Sequence, residues 1–292
     1  MATDRDVILH EEEIHGLDAL DIVLPEERPR RAAAAWAAVW PKLVAIAGVL
    51  AVWQIVYWTH WKPAFVLPSP ATVLSELGDI VKTSEFWKAV LTTMRRAIVG
   101  FGIAIVLGTI LGVAVSRSLI LRRAFGSFIT GLQSMPSIVW FPFAILLFKL
   151  SESAILFVVV LGAAPSVANG LVSGVDHIPP LLLRAGRVLG ARGIANLRHV
   201  VLPAALPAYV AGLKQGWAFA WRSLMAGELI VIIATRPALG QQLQNARDLS
   251  DASRLMAMMI VIFTIGVVVD GLVFASAERS IRRRRGLVEV GA

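Results

Sequence analysis

From Ile98 to Val115 the chain reads IVGFGIAIVLGTILGVAV, with no charged side chain. About 18 such residues in helical form are enough to cross the ~30 Å hydrocarbon layer of a bilayer. Inside that layer every backbone N–H and C=O must find a partner within the protein, which leaves helices or a closed barrel. Continuous apolarity, rather than alternation, selects the helix. With five more predominantly apolar runs, spans fall near 42–58, 96–116, 126–148, 153–175, 206–233 and 256–277. Charged residues make up 16% of the chain and hydrophobic ones 57%, against about 25% charged in soluble domains. The expectation is an all-α polytopic membrane protein with six transmembrane helices. Its transmembrane domain covers 36–280, between a largely disordered tail of mixed charge at 1–35 and a basic tail at 281–292.

Flanking residues set depth and direction. Trp36, Trp40, Trp53, Tyr57, Trp58 and Trp61 bracket the first span as interfacial aromatics. With the N-terminus inside, the inner loops collect Arg117, Arg122 and Arg123, then Arg184, Arg187, Arg192 and Arg198, then Arg279 and Arg282 to Arg285. Outer Lys and Arg are sparser, so both termini are expected in the cytoplasm. Arg95 and Arg96 run against this bias and are read as snorkelling or pairing with an outer helix. Between the first two spans, the polar stretch 65–93 reads as interfacial, with a helix opening at Pro70. Gly108 and Gly112 permit close helix packing in span two. Span three is broken at Ser134-Met135-Pro136-Ser137 and again at Pro142.

One polar insert, RAGRVLGARGIANLRHVVLP at 184–203, stands between two strongly apolar parts. Leu181, Ala185, Val188 and Leu189 fall on one helical stripe, with Arg184, Arg187 and Arg192 off it. The small residues Ala185, Gly186 and Gly190 let another surface approach the backbone, and Ala191 follows. Gly190 or Gly193 is a helix stop, and Pro203, after Leu202, opens the next helix. A loop that merely obeys the positive-inside rule accounts for the arginines but not for this spacing.

Ala185-Gly186, Gly190 and Val200-x-Leu202-Pro203 resemble the Glu-Ala-Ala loop of the permease subunits of ABC importers. Arg184 stands where that family has Glu, and Gly186 where it has the second Ala. Leu67-Pro68-Ser69-Pro70, SMPSIVWFPFAILLF at 134–148 and LGQQLQNAR at 239–247 resemble the branch serving sulfonate, nitrate and taurine. The resemblance implies a type I importer permease in a bacterial inner membrane. It also implies a homodimer, two cytoplasmic ATPase subunits carrying ATP and Mg, and an extracytoplasmic substrate-binding protein. The 180–203 segment would be the coupling element; bicarbonate or a thiamine-precursor pyrimidine stay open as alternative cargo. This chain has no GxxxxGK[ST] loop, so it holds no ATP itself, and no cofactor, metal or nucleic acid is expected.

Polar residues at membrane depth are candidates for a substrate pathway, since an unpaired charge there costs roughly 2.5–3.5 kcal/mol. They are Gln133, Ser134, Asn169, Lys214, Gln215, Arg222, Glu228 and Asp270, with Trp217 and Trp221 as a cavity wall suited to a small organic anion. Structural ion pairing of Arg222 and Glu228, mutually or with Asp270, is the competing reading, and Asp270 itself reads as structural. An intramembrane hydrolase lacks a base at depth, because His10, His15, His60, His177 and His199 all lie in tails, loops or interfaces. A stand-alone channel or carrier would explain the broken helices but not the coupling spacing. Cysteine is absent, which removes thiol chemistry and disulfides.

Overall fold

A computed structural model describes residues 31–284. The two charged tails expected from sequence therefore lie almost wholly outside the described residues. The chain divides into two units, residues 1–59 and 60–292. In the first, α1 (Arg31–Trp58) is a 28-residue helix with Pro41 in its interior. Its apolar part, Val39–Trp58, is 20 residues or ~30 Å long, enough for one crossing.

The second unit begins with α2 (Pro70–Val81), where the sequence signals a helix start: Ser69 Oγ accepts from Thr72 N–H at 3.2 Å, and Pro70 occupies the first turn. Thr83 then caps α3 (Ser84–Arg117), accepting from Phe86 N–H at 3.3 Å. This helix is 34 residues, ~51 Å long, and starts twelve residues before the expected span. The polar stretch at 84–95 is thus one continuous helix with the apolar run. Hydropathy could not place that boundary, because Glu85, Lys88 and Arg95 make the first three turns polar although they continue the same helix.

α4 (Leu119–Ser134) and α5 (Phe141–Phe148) meet at an angle of 101°, so the third apolar run is no straight crossing. The residue before proline avoids the α region: Met135, preceding Pro136, is extended at φ −77°, ψ 129°. A short 3-10 turn (Ser137–Trp140) follows. Pro142 lies in the first turn of α5, where it opens that helix rather than interrupting one. Among the described residues, five helices are long and apolar enough to span a membrane, or six if this bent pair is one span.

α6 (Glu152–Asp176) is the centre of the unit. Ala154, Ile155, Val158, Val159, Ala163 and Val167 on it are wholly buried. α3 packs on one side of it at Gly108 and Gly112, as the spacing predicts. A methyl group at Gly108 would lie 2.6 Å from Ala164 O, and one at Gly112 3.0 Å from Ala168 O. On the other side lies α8 (Gly193–Ile230), where a methyl at Gly170 of α6 would meet Gly212 Cα at 2.6 Å. Small residues bring the three backbones close and multiply dispersion contacts, the main cohesive force where lipid supplies no hydrophobic drive. α8 contains a π turn (Leu197–Val201) just before Pro203. Proline lacks an N–H and crowds the carbonyl four residues back, and the wider turn relieves both. Pro203 stands in the first turn of the α-helical part of α8, Leu202–Ile230, as the sequence predicts, and the π turn joins that part to residues 193–196 without a break.

Beyond α8, α9 (Leu239–Asp248) leads to α10 (Ala252–Val269). A second π turn (Asp270–Phe274) joins this to α11 (Ala275–Arg284). Lys214 stands 3.6 Å from Asp270 and 3.8 Å from Glu278, giving Asp270 the structural role read from sequence.

Candidate functional site

α7 (Pro180–Val188) follows α6 directly, at the end of the bundle where Arg122 pairs with Asp176 at 2.7 Å. Pro179 and Pro180 stop α6 from continuing and start α7. α7 ends in a Schellman motif: Ala191 N–H donates to Gly186 O at 2.9 Å, and Gly190 N–H to Arg187 O at 3.1 Å. Gly190 has φ +83°, the left-handed conformation that this closure needs and that glycine adopts without strain. Of the two predicted stops, Gly190 is the one that ends α7; Gly193, at φ +55°, starts the next helix.

Gly186 is buried, and a methyl there would lie 2.7 Å from Val200 Cγ2, so this glycine seats α7 on the π turn of α8. That contact turns the opposite face outward. Leu181 is 76% exposed, Val188 87%, Leu189 86% and Ile194 78%, with exposed Ala185 between them. Arg184, Arg187 and Arg192 are also exposed and make no ion pair among the described residues. Leu202 is partly exposed and Pro203 lies at the base of the segment. The result is an apolar ridge fringed by three cations, with no partner among the described residues.

The polar residues of the spans separate into three groups. Gln133 Nε2 donates to Ser166 Oγ at 3.2 Å, and Asn169 Nδ2 to Gln133 Oε1 at 3.4 Å, a chain joining α4 to α6. Ser134 bonds its own turn, to Gly131 O at 2.9 Å. On α8, Gln215, Ala218 and Arg222 share one open face. Arg222 Nε donates to Ala218 O at 3.1 Å, and its guanidinium lies 4.8 Å from the Phe219 ring. It makes no ion pair among the described residues. Trp217 and Trp221, by contrast, are in the core, stacked at 6.0 Å, with Trp217 against Phe101 and Phe274. They line the inside of the helix packing rather than a cavity, because they lie on the flank of α8 that faces α3 and the second π turn.

Glu228 belongs to a closed network at the end of the bundle opposite α7. Its carboxylate accepts from Arg96 Nη1 at 3.0 Å, Thr93 Oγ1 at 2.9 Å and Gly240 N–H at 3.1 Å. Thr93 Oγ1 in turn accepts from Leu239 N–H at 3.0 Å. A buried carboxylate and a hydroxyl thus cap the first turn of α9, where negative charge is favoured. Arg96 also reaches Glu152 Oε1 at 3.3 Å, and Arg236 binds the same oxygen at 2.8 Å. Arg96 is 4% exposed and Glu228 1%. Arg96 therefore does not snorkel, although Arg95 beside it is exposed. The partners lie 56 and 132 residues from Arg96, too far for any local pattern to reveal them. The LGQQLQNAR resemblance was the available hint, since its first two residues donate the capping N–H groups.

Residues 104–283 match the family described as binding-protein-dependent transport system inner membrane component. The taurine transport system permease protein of Escherichia coli (strain K12) is 29% identical over 233 residues, covering 76% of this chain and 83% of that protein. The nitrate import permease protein of Synechocystis sp. is 25% identical over 236 residues, covering 78% and 84%. Among solved structures, an inward-facing form of the MetNI methionine ABC transporter aligns with TM-score 0.59 at 19% identity, covering 68% of this chain and 96% of that one. That likeness gives the fold, that of the type I importer permeases. The matched segment contains the spacing at 184–203, the glycine seams of α3 and α8 and the exposed ridge of α7, and on it the chain belongs to the binding-protein-dependent transport system inner membrane components, the permease subunits of ABC importers.

Proposed function

We propose that this permease moves a small anion of the aliphatic sulfonate, taurine or nitrate class into the cytoplasm by alternating access, driven by ATP hydrolysis on separate subunits. The observation that carries the coupling part is the α7 ridge: Leu181, Val188, Leu189 and Ile194 stand exposed beside three arginines that make no ion pair among the described residues. An apolar ridge held rigidly by a Schellman turn suits a cleft in a soluble ATPase partner, and cationic flanks suit acids around that cleft. This reading puts α7 and both termini in the cytoplasm of a bacterial cell, with a substrate-binding protein on the other side.

The anion and the homodimer are supported by the open face of α8. An exposed Arg222 facing hydrocarbon would be costly, so this stripe faces a second copy of the chain and a watered path between the two. Arg222 would then attract an anion about 9 Å inward of Glu228 along the helix. Taurine and nitrate, the solutes named for two relatives, are both anion-bearing species.

The test is reconstitution with the ATPase chain in vesicles, following uptake of labelled taurine and nitrate. Leu189→Asp places a charge on the ridge and should abolish ATPase copurification while the permease stays monodisperse. Arg222→Met should keep copurification and lower uptake at least tenfold. Uptake unchanged by Arg222→Met removes α8 from the pathway. Copurification unchanged by Leu189→Asp removes α7 as the coupling element.

A further inference from the structure

Beside the buried network a cavity of about 330 Å³ opens at the surface, lined by Lys88, Leu91, Thr92, Arg95, Glu152 and the 235–237 loop. Its volume is at the small end of ligand pockets, roughly ten waters' worth. Three cations line it, Lys88, Arg95 and Arg236, against the single carboxylate of Glu152. That carboxylate is already engaged: its Oε1 holds Arg236 at 2.8 Å and Arg96 at 3.3 Å. Lys88 and Arg95 make no ion pair among the described residues, although Glu85 lies one turn before Lys88. With Arg96 behind the wall, four cations face Glu152 and Glu228, and the two carboxylates are consumed by the network that fixes Arg96 and Arg236.

Trp87, next to Lys88 on α3, is 56% exposed with its indole N–H on Val81 O at 2.9 Å, and amphipathic rings of this kind collect at a water–lipid boundary. Leu91 is 72% exposed at the cavity's rim and Ile98 64% exposed two turns further along α3. A cationic recess, walled by a rigid salt-bridged network and set beside such a ring, attracts anions more strongly than an equally charged surface in bulk water.

We propose that this recess is an oxyanion-binding site at the end of the permease opposite the coupling ridge, with Lys88 and Arg95 supplying the free charges and Arg236 positioned by Glu152. Its ligand is a sulfonate, sulfate or phosphate group, borne either by a small solute at the mouth of the transport path or by an anionic lipid. The solute form rests on the anion-import reading above; the site itself does not.

The experiment uses the purified permease in nanodiscs and reads binding, not transport. In phosphatidylcholine discs, titration with sodium sulfate against sodium chloride at matched ionic strength gives the sulfate affinity. Retention of added phosphatidylglycerol, followed by native mass spectrometry, gives the lipid arm. Lys88→Gln/Arg95→Gln should weaken the bound oxyanion about tenfold, whereas the charge-keeping Lys88→Arg/Arg95→Lys should retain it. Arg247→Gln removes a cation that does not line the recess and should change nothing. Loss confined to sulfate identifies a free oxyanion, and loss confined to the lipid identifies a headgroup. Equal binding of both probes by the wild type and Lys88→Gln/Arg95→Gln overturns the site. Failure of taurine and nitrate uptake with sulfate binding intact would count against the transport reading alone.

Discussion

The two ends of this bundle use arginine in opposite ways. At one end Arg96 is 4% exposed and held by Glu228 and Glu152, with Thr93 and the first N–H groups of α9 completing the set. At the other, Arg184, Arg187 and Arg192 stand in the open beside an equally open apolar ridge, with no acid to meet them among the described residues. A charge that has been desolvated must be answered inside the chain, because an unanswered one costs several kcal/mol. A charge left in water carries no such debt and remains free for another molecule. The closed end holds the helices together, and the open end leaves its charges and its apolar ridge exposed.

The largest effect should come from breaking the closed end. Arg96→Met leaves Glu228 buried and uncompensated and should destabilise the fold by about 3–5 kcal/mol. Glu228→Met takes one of two acids from Arg96, which keeps Glu152 at 3.3 Å, and should cost less. The double variant Arg96→Met/Glu228→Met removes both charges and should recover part of the loss. Thermal unfolding in detergent, read by size-exclusion monodispersity, orders the three. If the single variants melt with the wild type, the network contributes nothing and the contrast between the two ends collapses.

The glycine seam should give a smaller loss. Gly108→Leu forces a side chain towards Ala164 O, where even a methyl would approach to 2.6 Å, and overpacking of this kind costs about 1–3 kcal/mol. A methyl at Gly102 would meet nothing within 4 Å, so Gly102→Leu is the control and should melt close to wild type. Equal melting of the two variants would mean that α3 does not rest on α6 at Gly108.

These features differ in how far the sequence exposes them. The apolar runs, the Ser69-Pro70 helix start, the Gly108/Gly112 contact and the Gly190 stop are local signals, each written in residues within a turn or two. Arg96 is the counterexample: its local context, an arginine at the edge of an apolar run, allows snorkelling or pairing with another helix and cannot choose, because its acids lie 56 and 132 positions away. Trp217 and Trp221 failed differently. Helical spacing puts them near the Gln215–Arg222 face, but which neighbour covers that flank depends on how α3 and the second π turn pack. The 101° bend between α4 and α5 was half legible, since Pro136 announces a break without fixing its angle.

The smallest expected effect tests the open end most finely. Arg184 is exposed on α7, one residue before Ala185 and two before Gly186, which seats the helix on Val200. Reversing its charge should not disturb the fold, because it has no ion-pair partner among the described residues to lose. If the ATPase cleft presents acids to this ridge, Arg184→Glu turns an attraction into a repulsion, an exposed interaction of roughly 0.2–1 kcal/mol. The sign of its salt dependence then decides the matter. Screening shortens from ~30 Å at 0.01 M to ~8 Å at 0.15 M ionic strength, so the defect in ATPase copurification should be largest at low salt and fade as salt rises. Arg184→Ala should fall between the two, having lost attraction without gaining repulsion. A defect of the same size at every salt concentration would point to altered shape rather than charge. No defect at any concentration would leave Arg184 facing solvent, and the partner's grip would then rest on Leu181, Val188, Leu189 and Ile194 alone.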